Sequence, residues 1–483
     1  MTIKDLKPKS VWRYFDEITQ IPRPSKKEGK MTEYLLNFAV QHNLKAKKDQ
    51  IGNVIIYKPA TKEGIAPVIL QSHVDMVCEK NKDVSHDFDN DAIETYVNGD
   101  WLMARGTTLG ADNGIGVAAQ LAVLAANNIA HGNMECLFTV DEEAGLNGAY
   151  ALEKDVLTAN YLINLDTEEE GEFCIGCAGG KSTTATFTYE KEPVPSNYYW
   201  FKIQVGGLNG GHSGCEIHKG LGNSNKILNR YLWMLSQTFD FVLSEIDGGN
   251  LNNAIAREAY AIAGVPYNKK ESVAIALNLF ISDVEDELKN TDSGVRMSIE
   301  TVFPPEYIID NTTTKNLLNA IYACPHGVLS MSHDIDGLVE TSTNLASVKM
   351  KDDNKIVIVT SQRSSTESLK IDAANMVNAV FTLSGAEIIH GEGYPGWKPN
   401  ANSKVLRVAE ASYKKLYGKD AVVTAIHAGL ECGLLLEKYP HLDMISCGPT
   451  IREAHSPAEK VNIPSVEKWW NLLLDILENI PEK

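Results

Sequence analysis

The stretch Gln71-Ser72-His73-Val74-Asp75-Met76-Val77 directly follows the apolar run Pro67 to Leu70. A short apolar run that ends in polar residues is typical of a buried strand. Alternate residues of an extended strand point the same way, so His73 and Asp75 share a face. A metal-binding imidazole commonly gives its second N–H to a carboxylate, so this pair indicates a metal ligand and its partner. For His73 alone, a buried histidine that satisfies a backbone group is the competing interpretation.

Helix and strand patterns alternate on both sides of this stretch. Periodic apolar residues predict helices over 11–20, 33–43 and 114–128. Short apolar runs predict strands over 53–58, 68–72, 134–140 and 161–165. Such alternation predicts an α/β fold with a mixed, mostly parallel sheet covered by helices.

The composition changes twice along the chain, first at the charged, Pro-rich run 189–195 and again at 391–397. We expect one α/β domain, formed by residues 1–187 and 391–483, to be interrupted by an inserted α+β domain over 188–390. The inserted part has helix patterns over 224–237 and 371–384 and strand patterns over 272–281 and 356–361. The last part has helix patterns over 404–417 and 466–480 and a strand pattern over 442–447. The run 391–396 matches G-x-G-x-x-G, but Pro395 prevents it from opening a helix cleanly, so we interpret it as an interdomain hinge.

Size and charge exclude several classes of protein. A chain of 483 residues exceeds what one core normally holds, so two domains are expected. The net charge of −18 argues against a nucleic-acid partner. No apolar run is long enough to span a membrane, and the amino-terminal residues lack the apolar core of a signal peptide, so we expect a cytoplasmic protein. The eight scattered cysteines are typical of reduced thiols in that compartment.

Further acidic and histidine residues follow other strand-like runs. Asp112 lies in a Gly-rich loop before a helix, Glu142 and Glu143 follow the strand that ends near Val140, and Asp166 follows a fourth apolar run. A candidate farther along the chain is His455, in a Ser- and Pro-containing loop. Strand ends of an open α/β sheet form the crevice where ligands bind. Oxygen and imidazole ligands together favour zinc or manganese over magnesium.

Each of these residues also has an ordinary structural interpretation. Asp112 could cap the helix that follows it. Glu142 and Glu143 could form a solvated turn, although three adjacent like charges beside an apolar strand are unfavourable without a cation. His455 could be a surface residue. The joint occurrence of all the candidates where one crevice can collect them favours a metal centre.

Eight ordered motifs make the chain resemble a known family over nearly its whole length. They are SHVDMV (72–77), TTLGADNGIG (107–116), DEEAGLNGA (141–149), NLDTEEEGE (164–172), CAGG (177–180), GGHSGCEIHKG (210–220), HAGLECG (427–433) and GPTIREAHSP (448–457). The chain resembles the bacterial aminoacyl-histidine dipeptidases, which belong to a superfamily of dizinc metallopeptidases that includes carnosinases and aminoacylases.

The resemblance implies a role for each candidate. Asp112 would bridge two divalent ions, zinc first and manganese or cobalt as alternatives. His73 and Asp166 would complete one ion site, and Glu143 and His455 the other. Asp75 would orient His73, and Glu142 would be the general base that activates a metal-bridging water. The assignment of Glu142 as base and Glu143 as ligand rests on the resemblance, since spacing alone leaves it open.

The resemblance also makes the inserted part a lid and dimerisation domain. His212 would stabilise the oxyanion, and Asn253, Arg363 and Gly429 would bind substrate. From sequence alone, His212 could be an ordinary loop residue, Arg363 an exposed charge at a strand end, and Gly429 part of a simple turn. The implied assembly is a homodimer through the inserted domain.

The function that follows is metal-dependent hydrolysis of dipeptides, including those with a C-terminal histidine such as β-alanyl-histidine. The alternative is an N-acyl amino acid deacylase or a carboxypeptidase with the same metal centre. A serine hydrolase is disfavoured because Gly211 to Gly214 lacks the G-x-S-x-G elbow. A binding protein on an inactive hydrolase scaffold is disfavoured by the complete set of ligands and the intact Glu142.

Overall fold

The computed structural model describes residues 2–400 and 402–481. Contacts within the chain divide it into two compact units. Unit 1 consists of Met1–Gly176, Pro399–Ala425 and Leu430–Lys483, and unit 2 of Cys177–Lys398 and Ile426–Gly429. The limits predicted for the inserted domain, residues 188–390, stay a prediction.

Unit 1 is built on an eight-stranded mixed sheet. Its four central strands run parallel in the spatial order Met134–Thr139, Val68–His73, Tyr161–Asn164 and Asp443–Ser446. Beyond Met134–Thr139, the sheet continues with Val54–Lys58 and then Lys45–Lys48, each antiparallel to its neighbours. Beyond Asp443–Ser446, it continues with Glu172–Cys177 and then Val422–Ile426. A smaller sheet has the order Ile451–Arg452, Lys460–Asn462, Trp101–Ala104 and Thr95–Asn98. The predicted α/β class with a mixed sheet is confirmed, and the four central strands of the sheet are parallel.

The helices of unit 1 cover this sheet. They are Lys9–Thr19, Gly29–Gln41, Ala111–Ala125, Asn147–Ala151, Lys404–Tyr417, Glu431–Lys438 and Ile463–Asn479, with a 3₁₀ turn at Ile3–Asp5. Strands Val68–His73 and Met134–Thr139 are buried at every position, as expected for strands covered on both faces. Because parallel strands end at the same edge of a sheet, the residues that follow them are brought together there.

One helix contact positions the loop that carries Asp112. Helix Lys9–Thr19 buries Phe15 and Ile18 on one face and packs against helix Ala111–Ala125. A Cβ on Gly114 would lie 3.1 Å from Phe15 Cε2 and 3.3 Å from Ile18 Cδ1. The missing side chain of Gly114 therefore allows the first turn of helix Ala111–Ala125 to lie close to helix Lys9–Thr19.

Unit 2 contains a nine-stranded sheet in which neighbouring strands are antiparallel. Its order is Arg296–Thr301, Tyr198–Gly206, Ala259–Pro266, Val242–Gly248, Val339–Lys351, Lys355–Ser364, Gly179–Thr188 and Glu387–His390, with Gly327–Met331 paired to Val339–Lys351. Two short pairs join Lys191–Glu192 to Ile308–Ile309 and Gly211–His212 to Ala254–Ile255. The helices are Ser224–Thr238, Lys270–Leu288, Asn311–Ala323 and Glu367–Leu383, with 3₁₀ turns at Ile217–Lys219 and Tyr267–Lys269. The run 391–396 opens no helix.

The strand predicted over 272–281 is wrong, because this run lies inside helix Lys270–Leu288. The helix buries Val273, Leu277, Phe280 and Val284, which recur at helical spacing. A short apolar run cannot be assigned to a helix or a strand from periodicity alone, and here further apolar residues on the opposite face concealed the helical period. No helix within residues 2–400 and 402–481 combines the length and apolar character needed to cross a membrane.

Candidate metal centre

His73 is the last residue of strand Val68–His73 in unit 1 and is 1% exposed. Its Nδ1 atom lies 3.2 Å from the backbone oxygen of Asp75 and 3.4 Å from Asp75 Oδ1. Because Nδ1 faces two acceptors, the proton of a neutral imidazole belongs on this nitrogen, and Nε2 keeps a lone pair for a cation. His73 thus satisfies a backbone group with one nitrogen and turns the other towards carboxylates.

Asp75 is fully buried, and its carboxylate accepts hydrogen bonds from other groups besides facing His73. Its Oδ2 atom accepts hydrogen bonds from the Ser25 hydroxyl at 2.7 Å and from the backbone N–H of Glu143 at 3.2 Å. Its Oδ1 atom accepts from the backbone N–H of Glu142 at 3.1 Å. One carboxylate therefore joins the strand end of His73 to the segment that carries both glutamates. Sequence reasoning missed these bonds because backbone amides leave no pattern in a sequence.

Asp112 lies between the two candidate histidines. Its Oδ1 atom is 3.0 Å from His73 Nε2, and its Oδ2 atom is 3.0 Å from His455 Nε2. Asp112 has the extended angles φ −79° and ψ 111° within the segment Ala111–Ala125. These angles are compatible with a helix cap, but both carboxylate oxygens of Asp112 face histidine nitrogens.

Asp166 and Glu143 complete two groups of candidate ligands. Asp166 Oδ1 lies 3.4 Å from His73 Nε2, and Glu143 Oε1 lies 3.0 Å from His455 Nε2. Among the described residues, four sets of three bring their ligand atoms within 4.8 Å of one another: His73, Asp112 and Asp166; Asp112, Glu143 and His455; His73, Glu142 and Glu143; and Glu28, Asp75 and Asp141. The first two sets share the carboxylate of Asp112.

The protonation of these groups shows why cations fit this centre. Burial would lower the pKa of His73, but Asp166 and the hydrogen bond to Asp112 raise it well above its ordinary value. The hydrogen bond to Asp112 and the nearby carboxylate of Glu143 raise the pKa of His455 to about 11. Burial raises the pKa of Asp166 to about 6. The raised pKa values of both histidines reflect the negative charge of the carboxylates around them, and such a donor set suits divalent cations.

An unsatisfied ligand atom supports the same fit. Within residues 2–400 and 402–481, the buried Oε1 atom of Glu143 accepts no hydrogen bond of suitable geometry, although His455 Nε2 is 3.0 Å away. A carboxylate oxygen that faces an imidazole nitrogen at 3.0 Å without accepting a hydrogen bond from it suits a pair of atoms that would bind a common cation.

Glu431 is a buried carboxyl group near these ligands to which the sequence analysis assigned no role. It is the first residue of helix Glu431–Lys438, and its Oε2 atom accepts from Thr139 Oγ1 at 2.8 Å and from Gln71 Nε2 at 2.6 Å. Its Oε1 atom lacks a hydrogen bond among the described residues. Burial raises its pKa to about 7. A glutamate followed by the apolar residues Cys432 to Leu436 was the sequence signal for a buried carboxyl group.

The remaining sequence-predicted residues lie in unit 2 or on its segment Ile426–Gly429. His212 ends the short strand Gly211–His212, and its Nδ1 atom accepts from the backbone N–H of Cys215 at 3.0 Å and of Gly214 at 3.3 Å. Burial lowers the pKa of His212 to about 4, assisted by Arg363. His212 is therefore neutral near pH 7, with its proton on Nε2.

Arg363, Asn253 and Gly429 differ in their surroundings. Arg363 is buried in strand Lys355–Ser364 and donates from Nη1 to the Tyr394 hydroxyl at 2.8 Å, so the interpretation of Arg363 as an exposed charge is wrong. A Cβ on Gly429 would lie 2.8 Å from Tyr394 Cε2, which places Gly429 beside the same tyrosine. Asn253 is exposed, and its backbone oxygen accepts from the N–H of Ser213 at 2.8 Å.

Comparison with known proteins adds to this geometry. The model of peptidase family M20/M25/M40 matches residues 69–479. The chain is 42% identical over 483 residues to the cytosol non-specific dipeptidase of Escherichia coli (strain K12), a match that covers 100% of this chain and 99% of that protein.

Solved structures agree with this match. The aminoacylhistidine dipeptidase from Vibrio alginolyticus superposes with a TM-score of 0.91 at 41% identity, covering 100% of this chain and 99% of that one. Aminopeptidase PepT from Bacillus cereus superposes with a TM-score of 0.58 at 16% identity, covering 98% and 99% of the two chains. The second likeness concerns the fold alone.

Proposed function

The chain belongs to peptidase family M20/M25/M40, and within that family we propose that it is a metal-dependent dipeptidase. The observation that carries the proposal is the pair of three-residue ligand sets that share Asp112. Full-length similarity to a cytosol non-specific dipeptidase and to an aminoacylhistidine dipeptidase supports dipeptides as the substrate class. The hydrolysed bond is the peptide bond of dipeptides, including those that end in histidine, such as β-alanyl-histidine.

We assign two divalent ions to the two sets. Asp112 would bind both ions, with His73 and Asp166 completing one site and Glu143 and His455 the other. A mixed nitrogen and oxygen donor set favours zinc, with manganese or cobalt as alternatives. When bound, the ions would polarise the scissile carbonyl and acidify the attacking water.

Glu142 is the group we assign as general base. Burial raises its pKa well above the ordinary value, which suits a carboxylate that must take a proton near neutral pH. It would take the proton of the attacking water and pass it to the leaving amine. Its backbone N–H is held by Asp75, the same carboxylate that holds the N–H of Glu143. The two glutamates are thus fixed together while their side chains serve different roles.

The residues of unit 2 would act on the substrate. A neutral His212 with its proton on Nε2 is a hydrogen-bond donor suited to the oxyanion that develops during attack. Buried Arg363, oriented by the Tyr394 hydroxyl, would bind a substrate carboxylate, and Asn253 and Gly429 would line the same site.

We also propose a homodimer formed through unit 2. Helix Lys270–Leu288 exposes Ile275 (61%) and Leu279 (67%), one helical turn apart. Strand Arg296–Thr301 lies at one edge of the sheet, where backbone groups are available to a second strand. In multi-angle light scattering, a double Ile275→Lys, Leu279→Lys variant is expected to be a monomer, whereas Ile371→Lys, at another exposed apolar position, stays dimeric. A monomeric wild type would contradict the proposal.

The cytosolic location is likewise proposed, from the name of the Escherichia coli relative. The only partner that we propose besides a second copy of the chain is a small peptide substrate; we propose neither a nucleic-acid nor a membrane partner.

The function is tested with metal-stripped protein reloaded with zinc, manganese or cobalt. The substrates are β-alanyl-histidine, a dipeptide without histidine, a tripeptide and an N-acetyl amino acid. We expect metal-dependent cleavage of both dipeptides. Cleavage of the acetylated compound alone would instead show a deacylase, and release of C-terminal residues from longer peptides would show a carboxypeptidase. Full activity after metal removal would contradict the metal-dependent mechanism.

A further inference from the structure

Glu459 is a buried carboxylate, 2% exposed, outside both ligand sets. Its Oε2 atom accepts hydrogen bonds from the backbone N–H groups of Leu109 at 2.7 Å and Gly110 at 2.9 Å. Its Oε1 atom accepts from those of Ala111 at 2.7 Å and Asp112 at 3.3 Å. A single side chain thus satisfies four consecutive amides of the loop that presents Asp112. An anion is well placed there, because these amides begin a helix.

Arg23 binds a backbone carbonyl group of the same loop. It is buried, and its Nη2 atom donates to the backbone oxygen of Gly110 at 2.6 Å. Its Nη1 atom donates to the backbone oxygens of Val74 and Asp75, both at 3.1 Å. A Cβ on Gly110 would lie 2.4 Å from Arg23 Nη2, and Gly110 has a φ of 68°, so only glycine fits between the two charged side chains.

The position of Glu459 in the sequence connects the Asp112 loop to a second candidate ligand. Glu459 follows His455 by four residues, in a loop where the side chain of His455 is 52% exposed. The bonds from Glu459 to the Asp112 loop therefore also anchor the His455 loop. The other three candidate ligands have supports of their own: Asp75 faces His73 Nδ1 and accepts from the backbone N–H of Glu143, and the Asn113 amide donates to Asp166.

We propose that Glu459 is a positioning residue that fixes Asp112 and His455 relative to each other. The proposal rests on the proposed function, because it concerns the ions that this function requires. It implies that Glu459 controls the affinity of the ion site formed by Asp112, Glu143 and His455 more strongly than that of the site formed by His73, Asp112 and Asp166. Loss of a group that orients a metal ligand typically weakens metal binding about 10- to 100-fold.

The test is Glu459→Gln, which keeps the shape of the side chain but turns an NH₂ group towards backbone N–H donors. The matched control is Glu135→Gln. Glu135 is also buried, and it accepts from the backbone N–H of Thr158 at 3.1 and 2.9 Å, but it lies at the start of strand Met134–Thr139, away from the Glu142 end. Both substitutions leave backbone amides poorly satisfied, so both are expected to lower the melting temperature of the metal-free protein.

The two variants are expected to differ in metal binding, measured as zinc per chain after dialysis and as zinc affinity by competition with a chelator. Glu135→Gln should keep two ions with the affinities of the wild type. Glu459→Gln should keep one ion and bind the second at least about tenfold more weakly. Two ions at wild-type affinity in Glu459→Gln, or an equal loss in both variants, would overturn the proposal.

A second variant covers the case in which Glu459→Gln does not fold. Glu459→Asp keeps the charge but is too short to reach all four amides, so a smaller loss of affinity for the same single ion is expected. Wild-type affinity for both ions in a folded Glu459→Asp protein would then overturn the proposal. A wild type that binds two ions but cleaves no dipeptide would refute the substrate assignment and leave this comparison valid. A wild type that binds fewer than two ions would overturn both proposals.

Discussion

Replacing Asp75 by asparagine tests whether one carboxylate organises the metal centre. Asp75 is fully buried, and its two oxygens receive bonds from Ser25, Glu142 and Glu143, with His73 Nδ1 3.4 Å from Oδ1. The substitution preserves the size of the side chain, removes its charge and exchanges one acceptor for an NH₂ donor.

The magnitude follows from where that NH₂ group can point. In the place of Oδ1 it would face two N–H donors, those of His73 and Glu142. In the place of Oδ2 it would face the N–H of Glu143 and the Ser25 hydroxyl, which can turn and accept. The second orientation is the less costly one and leaves one buried amide unsatisfied, a cost of about 1–3 kcal/mol in the free energy of unfolding. His73 also loses a charged partner, so zinc affinity should fall about 10- to 100-fold.

Urea unfolding of the metal-free protein measures the first effect, and chelator competition together with kcat/KM on a dipeptide measures the second. Ser25→Ala is the matched control, because it removes one hydrogen bond to Asp75 and leaves the carboxylate in place. Its zinc affinity should stay within a few-fold of that of the wild type. An Asp75→Asn protein with wild-type stability, zinc affinity and kcat/KM would refute the assigned role of Asp75.

Three further predictions address the base, the backbone and the pH response. Glu142→Gln should lower kcat about 10²- to 10⁴-fold with zinc content unchanged, whereas Glu143→Gln should lose zinc; metal loss in the first variant would make Glu142 a ligand. Gly448→Ala places a Cβ 1.7 Å from the backbone oxygen of Thr167, so unfolding should become easier by about 1–3 kcal/mol or more, while Gly29→Ala, which meets nothing within 4 Å, should leave the melting temperature nearly unchanged. Burial lowers the pKa of His427 to about 3, so between about pH 6.5 and 3 the unfolded chain binds more protons than the folded one, and the free energy of unfolding should fall as the pH drops. Urea unfolding at pH 7 and pH 5 should show a smaller fall for His427→Asn than for the wild type. An equal fall in both proteins would contradict the lowered pKa of His427.

Much of the candidate metal centre could be predicted because several of its residues follow regular strands. His73 and Asp166 come directly after or at the end of buried apolar runs, and parallel strands end at one edge of a sheet. The period of a strand also predicted that His73 and Asp75 share a face. The same kind of local evidence failed for helix Lys270–Leu288, where apolar residues on both faces give the continuous apolar run that is typical of a buried strand.

The chain alone thus determined which side chains could bind metal, because strand ends and residue types are local properties that a pattern records. Only the tertiary structure decided how they meet: Asp112 lies between His73, 39 positions away, and His455, 343 positions away. It also revealed Glu459, whose four partners are backbone amides. Every residue except proline offers such an amide, so no arrangement of letters marks the ones that a distant carboxylate will bind.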